Sequence, residues 1–215
     1  MSQVLSDSSE NPEELLRAAL SGNKQALAAL FTQYRSRLRQ MVRLRLDRRL
    51  HGRIDPSDVI QEAYLDVVSQ LPAYKNKQDE MPFFLWLRMV TGQRMMRVHR
   101  QHLGAEMRNA GRDVSLHCGA LPRATSVSLA AQLMGQFTSV SQAAIRSEMQ
   151  VKLQEAINCM DDVDREIIAL RHFEELSNKE AAFILGLSKT ATSNRYVRAM
   201  ARLQSVLQSM PGFMD

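Results

Sequence analysis

The sequence predicts an all-α protein: two small helical domains joined by a flexible linker, the C-terminal one a helix-turn-helix. Apolar side chains recur at three- and four-residue intervals through most of the 215 residues, the period of helices that each turn one face to a core. Only 9 glycines and 6 prolines leave little material for the turns of a many-stranded fold. Aromatic residues make up 6% while methionine reaches 13 copies, a balance that suits packing between helices better than a β-sandwich.

The elements follow in order. Residues 1–11 are polar and acidic and read as a disordered tail. A first helix begins at Pro12, with Glu13 and Glu14 in its opening turn, and Ser21-Gly22-Asn23 ends it. A second runs from about Lys24 to Leu50, with Leu27, Leu30, Phe31, Tyr34, Leu38, Met41, Val42, Leu46 and Leu50 on its stripe. Its later part alternates Arg with apolar residues, but Val42 is its one β-branched residue, which favours helix over strand.

Asp55 is then an N-cap ahead of Pro56, and a third helix runs to about Leu71, where Pro72 is expected to stop it. Ile60, Ala63, Tyr64, Val67 and Leu71 form its apolar stripe, while Asp58, Gln61, Glu62, Leu65 and Asp66 lie toward the other side. Leu71–Pro82 reads as a loop. A long helix from about Phe83 to about Met107 follows, aromatic first and basic afterwards.

Residues 111–144 are rich in Ser, Ala, Gly and Thr and almost uncharged, the texture of a linker with a short helix near Ala130–Phe137. Helical order resumes near Ala143, and Asp161 and Asp162 can cap a helix from Val163 to Phe173. Ser177 and Glu180 have the spacing of a capping box, Gly186 suits the left-handed position after a C-terminus, and Ser188 caps again before a helix from Lys189 to about Gln208. Two helices across so short a turn make a helix-turn-helix, with Ala182, Leu185, Leu187, Thr192 and Tyr196 as its expected core.

The net charge is +5 with a pI near 9.5, and most of the surplus sits in two blocks, Arg35–Arg53 and Arg88–Arg112. That concentration points to a polyanionic partner. Two cysteines, Cys118 and Cys159, are too few for a disulfide framework or a zinc site, and His117 beside Cys118 reads as an incidental pair. Capping explains Asp161, Asp162 and Asp164 better than a divalent metal does. The five histidines are scattered and no Gly-rich phosphate loop is present. No cofactor, no metal and no enzymatic activity are expected. The start is no signal peptide and no stretch has bilayer length, so the expectation is a cytoplasmic protein with no membrane partner.

The second helix of a helix-turn-helix enters the major groove with its N-terminal residues against base edges. Here those are Lys189, Thr190, Ser193, Asn194 and Arg195, with Arg198 and Arg202 further along. Arg and Asn are the side chains that read guanine and adenine bidentately. Glu175, Leu176, Ser177, Glu180, Ala182, Leu185, Gly186 and Ser188, followed by Arg195, Arg198, Ala199 and Leu203, resemble the C-terminal domain of extracytoplasmic-function (ECF) sigma factors of the sigma-70 family. By itself this half also fits a LuxR-type regulator, which binds duplex DNA without acting as a polymerase subunit.

The N-terminal half separates those readings. Asp58-Val59-Ile60-Gln61-Glu62-Ala63-Tyr64 resembles the D-x-x-Q-E-x-F signature of the same family. Phe84, Trp86 and Leu87, followed by Arg88, Arg94, Arg97 and Arg100, resemble its F-x-x-W-L strand-separating helix, whose cations and aromatic faces suit single-stranded DNA. Trp86 itself is expected in the core.

The resemblance, over roughly residues 12–108 and 145–208, implies a region 2-like domain (12–110), the linker (111–144) and a region 4-like helix-turn-helix domain (145–210). Core RNA polymerase, through its clamp and flap regions, would be met by Asp58, Gln61, Glu62 and Asp66. Tyr74, Lys75 and Asn76 would capture a flipped −10 base, Arg88, Arg94, Arg97 and Arg100 would hold that strand, and the second helix of the motif would read the −35 element. Promoter DNA and an anti-sigma factor complete the implied partners.

Overall fold

The computed structural model describes residues 11–103, 121–136 and 143–208, and among these every regular element is helical. The expected tail, the His117–Cys118 pair, the end of the long basic helix beyond Leu103 and part of the linker lie outside the described residues.

Helix α1 spans Pro12–Leu20 and α2 spans Lys24–Arg45. Asn11 and Asn23 cap them: the Asn11 side chain accepts from the Glu13 N–H at 3.0 Å, and Asn23 accepts from Gln25 and Ala26 at 3.0 and 3.1 Å. The expected run to Leu50 is broken. Leu46 is extended, and a 3-10 turn at Arg48–Leu50 follows, started by Asp47, whose carboxylate accepts from the Arg49 N–H at 2.9 Å. A short acidic side chain bonding its own neighbourhood competes with the helical ladder in this way. Leu46 and Leu50 are buried all the same.

Helix α3 runs Pro56–Tyr74, with Asp55 accepting from the Ser57 N–H at 2.7 Å. Pro72 does not stop it. The proline sits in the last turn, and the carbonyl it leaves without a partner belongs to Val68, a residue on the exposed side where water can reach it. The extra turn carries Tyr74 into the core, so the expected Leu71–Pro82 loop shrinks to a 3-10 turn at Lys75–Lys77 and five residues before α4, Phe83–Leu103. Tyr74 stacks on Trp86 at 4.6 Å and donates to the Met81 carbonyl at 3.0 Å. Burial pushes its phenol up to about 12. Leu30, Leu38, Met41, Val67, Leu87, Val90 and Met95 fill the space between α2, α3 and α4 with no exposed surface.

The short helix expected within the linker is present, but it starts earlier and is packed. Residues Ser126–Gln136 form α5, beginning four residues before the expected short helix. Leu129, Ala130, Leu133 and Met134 pair at a four-residue spacing and are buried with Met149, Leu153 and Ile157 of α6, Ala143–Asn158. Low charge made this segment look like a tether; its stripe makes it a packed element. Leu121, just before it, lies so close to Gly92 of α4 that a Cβ there would overlap its side chain.

Helix α7 covers Asp162–Ile168 and passes into a single π-turn, Ala169–Phe173, where one uniform helix was expected. Helix α8, Asn178–Leu185, opens on the capping box: Ser177 accepts from the Glu180 N–H, and the Glu180 carboxylate accepts from the Ser177 N–H at 2.7 Å. Gly186 closes it at φ +64°, and α9 runs Lys189–Gln208. Ala182 and Thr192 are buried between these helices, while Leu185, Leu187 and Tyr196 are half-buried.

The two halves share apolar contact. Leu170, Leu176 and Ala181 of the C-terminal half are buried in one cluster with the N-terminal core. Among the described residues no helix is long and apolar enough to cross a membrane.

Candidate nucleic-acid interface

The outer face of α3 carries Asp58, Gln61 and Glu62 exposed to solvent, with Asp66 half-buried. Asp66 accepts a forked pair from Arg94, at 2.7 Å from Nε and 2.6 Å from Nη2, and a further bond from Arg97. Glu62 reaches Arg94 at 3.4 Å. The acidic helix and the basic helix are therefore stitched along one seam, and the Asp66 pairs keep Arg94 charged. Leu65, which the sequence places on this outer face, is 67% exposed, and Val68, which the sequence reading did not single out, stands exposed on the same side. Their signal was present: Gln61, Leu65 and Val68 follow helical spacing on the face opposite the core stripe.

The residues expected at the melted strand divide. Lys75 and Asn76 are exposed at the turn after α3, and Arg100 is exposed on α4. Tyr74 faces inward, held by Trp86 and Phe83, and cannot offer its ring to a base in this arrangement. Arg88 is also buried, donating from Nε to Glu174 at 2.7 Å. Trp86 is core, as expected.

On α9 the first two turns project outward. Lys189, Thr190, Ser193, Asn194, Arg198 and Arg202 are exposed, while Thr192, Ala199 and Leu203 anchor the opposite side. The Lys189 carbonyl accepts from Asn178 Nδ2 at 2.8 Å, which ties the two helices of the motif together. Arg195 is aimed by Asp164 of α7 at 2.8 Å, with Asp161 at 3.7 Å. Those two aspartates thus fix the direction of an arginine on the reading helix. Phe183 and Val197 are exposed apolar residues of the same motif that the sequence reading did not single out.

Behind these faces lies a buried ionic cluster that the sequence did not reveal. Arg45 of α2 donates to both Glu166 and Glu174, and the second oxygen of Glu174 takes Arg88. Burial works against the charge of Arg45, but its two carboxylates, Glu166 and Glu174, outweigh that and hold it more firmly charged. Burial likewise pushes the Glu166 carboxyl up, and Arg45 and Arg88, with the Ala124 N–H, bring it below the usual range. His99 is a separate case: buried, it accepts from the Asp47 N–H at 3.2 Å through Nε2, so its proton sits on Nδ1, which has no hydrogen-bond partner among the described residues. Burial holds it below the ordinary imidazole value.

Comparison with known proteins gives these faces a context. Residues 150–203 match the family model for Sigma-70, region 4. The chain is 24% identical over 195 residues to the ECF RNA polymerase sigma factor SigD of Mycobacterium tuberculosis, covering 91% of this chain and 83% of that protein. A 58-residue segment is 43% identical to the RNA polymerase sigma factor NccH of Alcaligenes xylosoxydans xylosoxydans, 27% of this chain and 31% of that one. In fold the chain is similar to CnrH, solved in complex with the cytosolic domain of CnrY, with a TM-score of 0.52 and 22% identity over 92% of this chain and 97% of that one.

Proposed function

We propose that this protein, an ECF sigma factor of the sigma-70 family that acts in transcription initiation, works by joining core RNA polymerase through α3 and reading a promoter at two separate places. The exposed Asp58, Gln61 and Glu62, with Leu65 and Val68 beside them, combine charge with apolar contact, as a protein interface requires. Asp66 shapes that face from behind by fixing Arg94 and Arg97. The −35 element is read by Lys189, Thr190, Ser193, Asn194, Arg195, Arg198 and Arg202. Lys75, Asn76, Arg94, Arg97 and Arg100 hold the melted −10 strand, and Tyr74 serves as the buried post on which that turn is mounted. The protein performs no chemistry of its own and works with the polymerase in the cytoplasm. An anti-sigma factor fits as a controlling partner, since CnrH was solved with CnrY.

The observation that carries this reading is the pairing of two surfaces on one chain: a capped helix-turn-helix with its reading helix exposed, and an acidic helix face on a basic domain. A duplex-binding regulator needs only the first. The test is run-off transcription with core polymerase and a pool of genomic promoters. Specific transcripts are expected with the chain and not without it; none from any promoter would sink the reading. Replacing Gln61 and Glu62 with Ala should weaken core binding severalfold while circular dichroism stays unchanged.

A further inference from the structure

Three arginines of the N-terminal domain converge on one short loop of the C-terminal domain, Phe173–Leu176. Arg45 and Arg88 take both oxygens of Glu174, whose side chain is fully buried. Arg37 donates to the carbonyls of Glu174 and Glu175, each at 3.0 Å, while its guanidinium lies 3.6 Å over the Phe84 ring. Leu176, the last residue of the loop, and Leu170, ahead of it, enter the N-terminal core.

The loop also has bonds within its own half. Leu176 N–H bonds the Leu170 carbonyl at 2.9 Å, and Arg171 caps the Leu176 carbonyl at 2.6 Å. Glu175 is held at φ +56°, a conformation that side-chain-bearing residues seldom adopt and that persists only where its surroundings enforce it.

We propose that the Arg37–Arg45–Arg88 surface is an intramolecular docking site whose occupant is the chain's own Phe173–Leu176 loop, and that this latch keeps the protein closed when it is free. A buried ion cluster adds little net stability over the hydrated ions, because water recovers each group on opening. It does enforce one arrangement strongly, since removing a single member leaves its partner buried and charged. The latch is therefore specific when closed and inexpensive to open. Glu174 stands where a phosphate would sit against Arg88, so the closed state withholds Arg88 from nucleic acid. Arg88 would join the strand-holding arginines named above only once the latch opens; that consequence rests on the promoter-reading role, and the closed state itself does not.

The test uses neither polymerase nor DNA, so its failure is distinct from failure of run-off transcription. In the full chain, with Cys118 replaced by Ser, one dye is placed on Cys159 and another on a cysteine introduced at Ser69, both exposed positions, and single-molecule energy transfer is recorded. The parent should give one dominant population. Glu174→Gln should move a severalfold larger fraction to a second, longer distance. Glu174→Asp keeps the charge but is too short to span both arginines, and should give an intermediate fraction. Unchanged populations in variants that keep their helix content would overturn the latch. Loss of helix content in both variants would also overturn it, by making Glu174 a folding element of its own domain.

Discussion

Two acid–arginine clusters organise this molecule, and they sit in opposite environments. At the seam of α3 and α4, Asp66 binds Arg94 and Arg97 within one domain and half in water, with Arg97 40% exposed. Under the C-terminal domain, Arg45, Arg88, Glu166 and Glu174 are sealed between domains, and the Arg45 and Glu174 side chains have no exposed surface. Screened pairs of the first kind add little and exchange partners readily. Pairs of the second kind are held by the cost of leaving any one of them alone. The same residue types thus serve as an adjustable surface in one place and as a fastener in the other.

Four experiments break or sharpen that contrast. Arg45→Ala leaves two buried carboxylates with only Arg88 between them and should cost about 3–5 kcal/mol, read by urea denaturation. A loss under about 1 kcal/mol would show the cluster to be as wet as the surface one. Asp66→Asn should cost no more than about 1 kcal/mol. It should nevertheless raise affinity for single-stranded DNA, because two arginines are released, and the gain should shrink with added salt.

The third experiment concerns pH. The folded pKa of His99 lies below its unfolded value of about 6.5. Between the two, the unfolded chain binds the extra proton, so stability is full above that window and falls as pH drops through it. Melting temperature should decline on acidification from neutral pH, and His99→Gln should flatten that decline; an unchanged slope would place the titration elsewhere. The smallest effect is expected from Gly92→Ala. Higher helix propensity, up to about 1 kcal/mol, is offset by pushing Leu121 out of its seat, so melting should barely move while amide exchange in 121–136 rises.

What the sequence made legible were features written within a few residues. The capping box at Ser177 and Glu180, Gly186, and the outward Lys189–Arg202 row each depend on local spacing, and the structure places all of them where the spacing puts them. Pro72 misled because the cost of an interior proline depends on which side of the helix loses the bond, and that side is set by tertiary packing. Tyr74 was read as a loop residue for the same reason: one more helical turn moved it into the core. The ionic latch was not legible at all. Arg45 and Glu166 are 121 positions apart, and an arginine within an alternating Arg–apolar run gives no local sign that it is buried.

The shared core has a consequence for dividing the chain. Leu170, Leu176 and Ala181 complete a cluster begun by α2, α3 and α4, so each half carries a surface shaped by the other. Severing the peptide between α4 and α5 would not create two independent modules. It would create a complementary pair of fragments, expected to find one another in trans with the selectivity of a lock for the key cut to it.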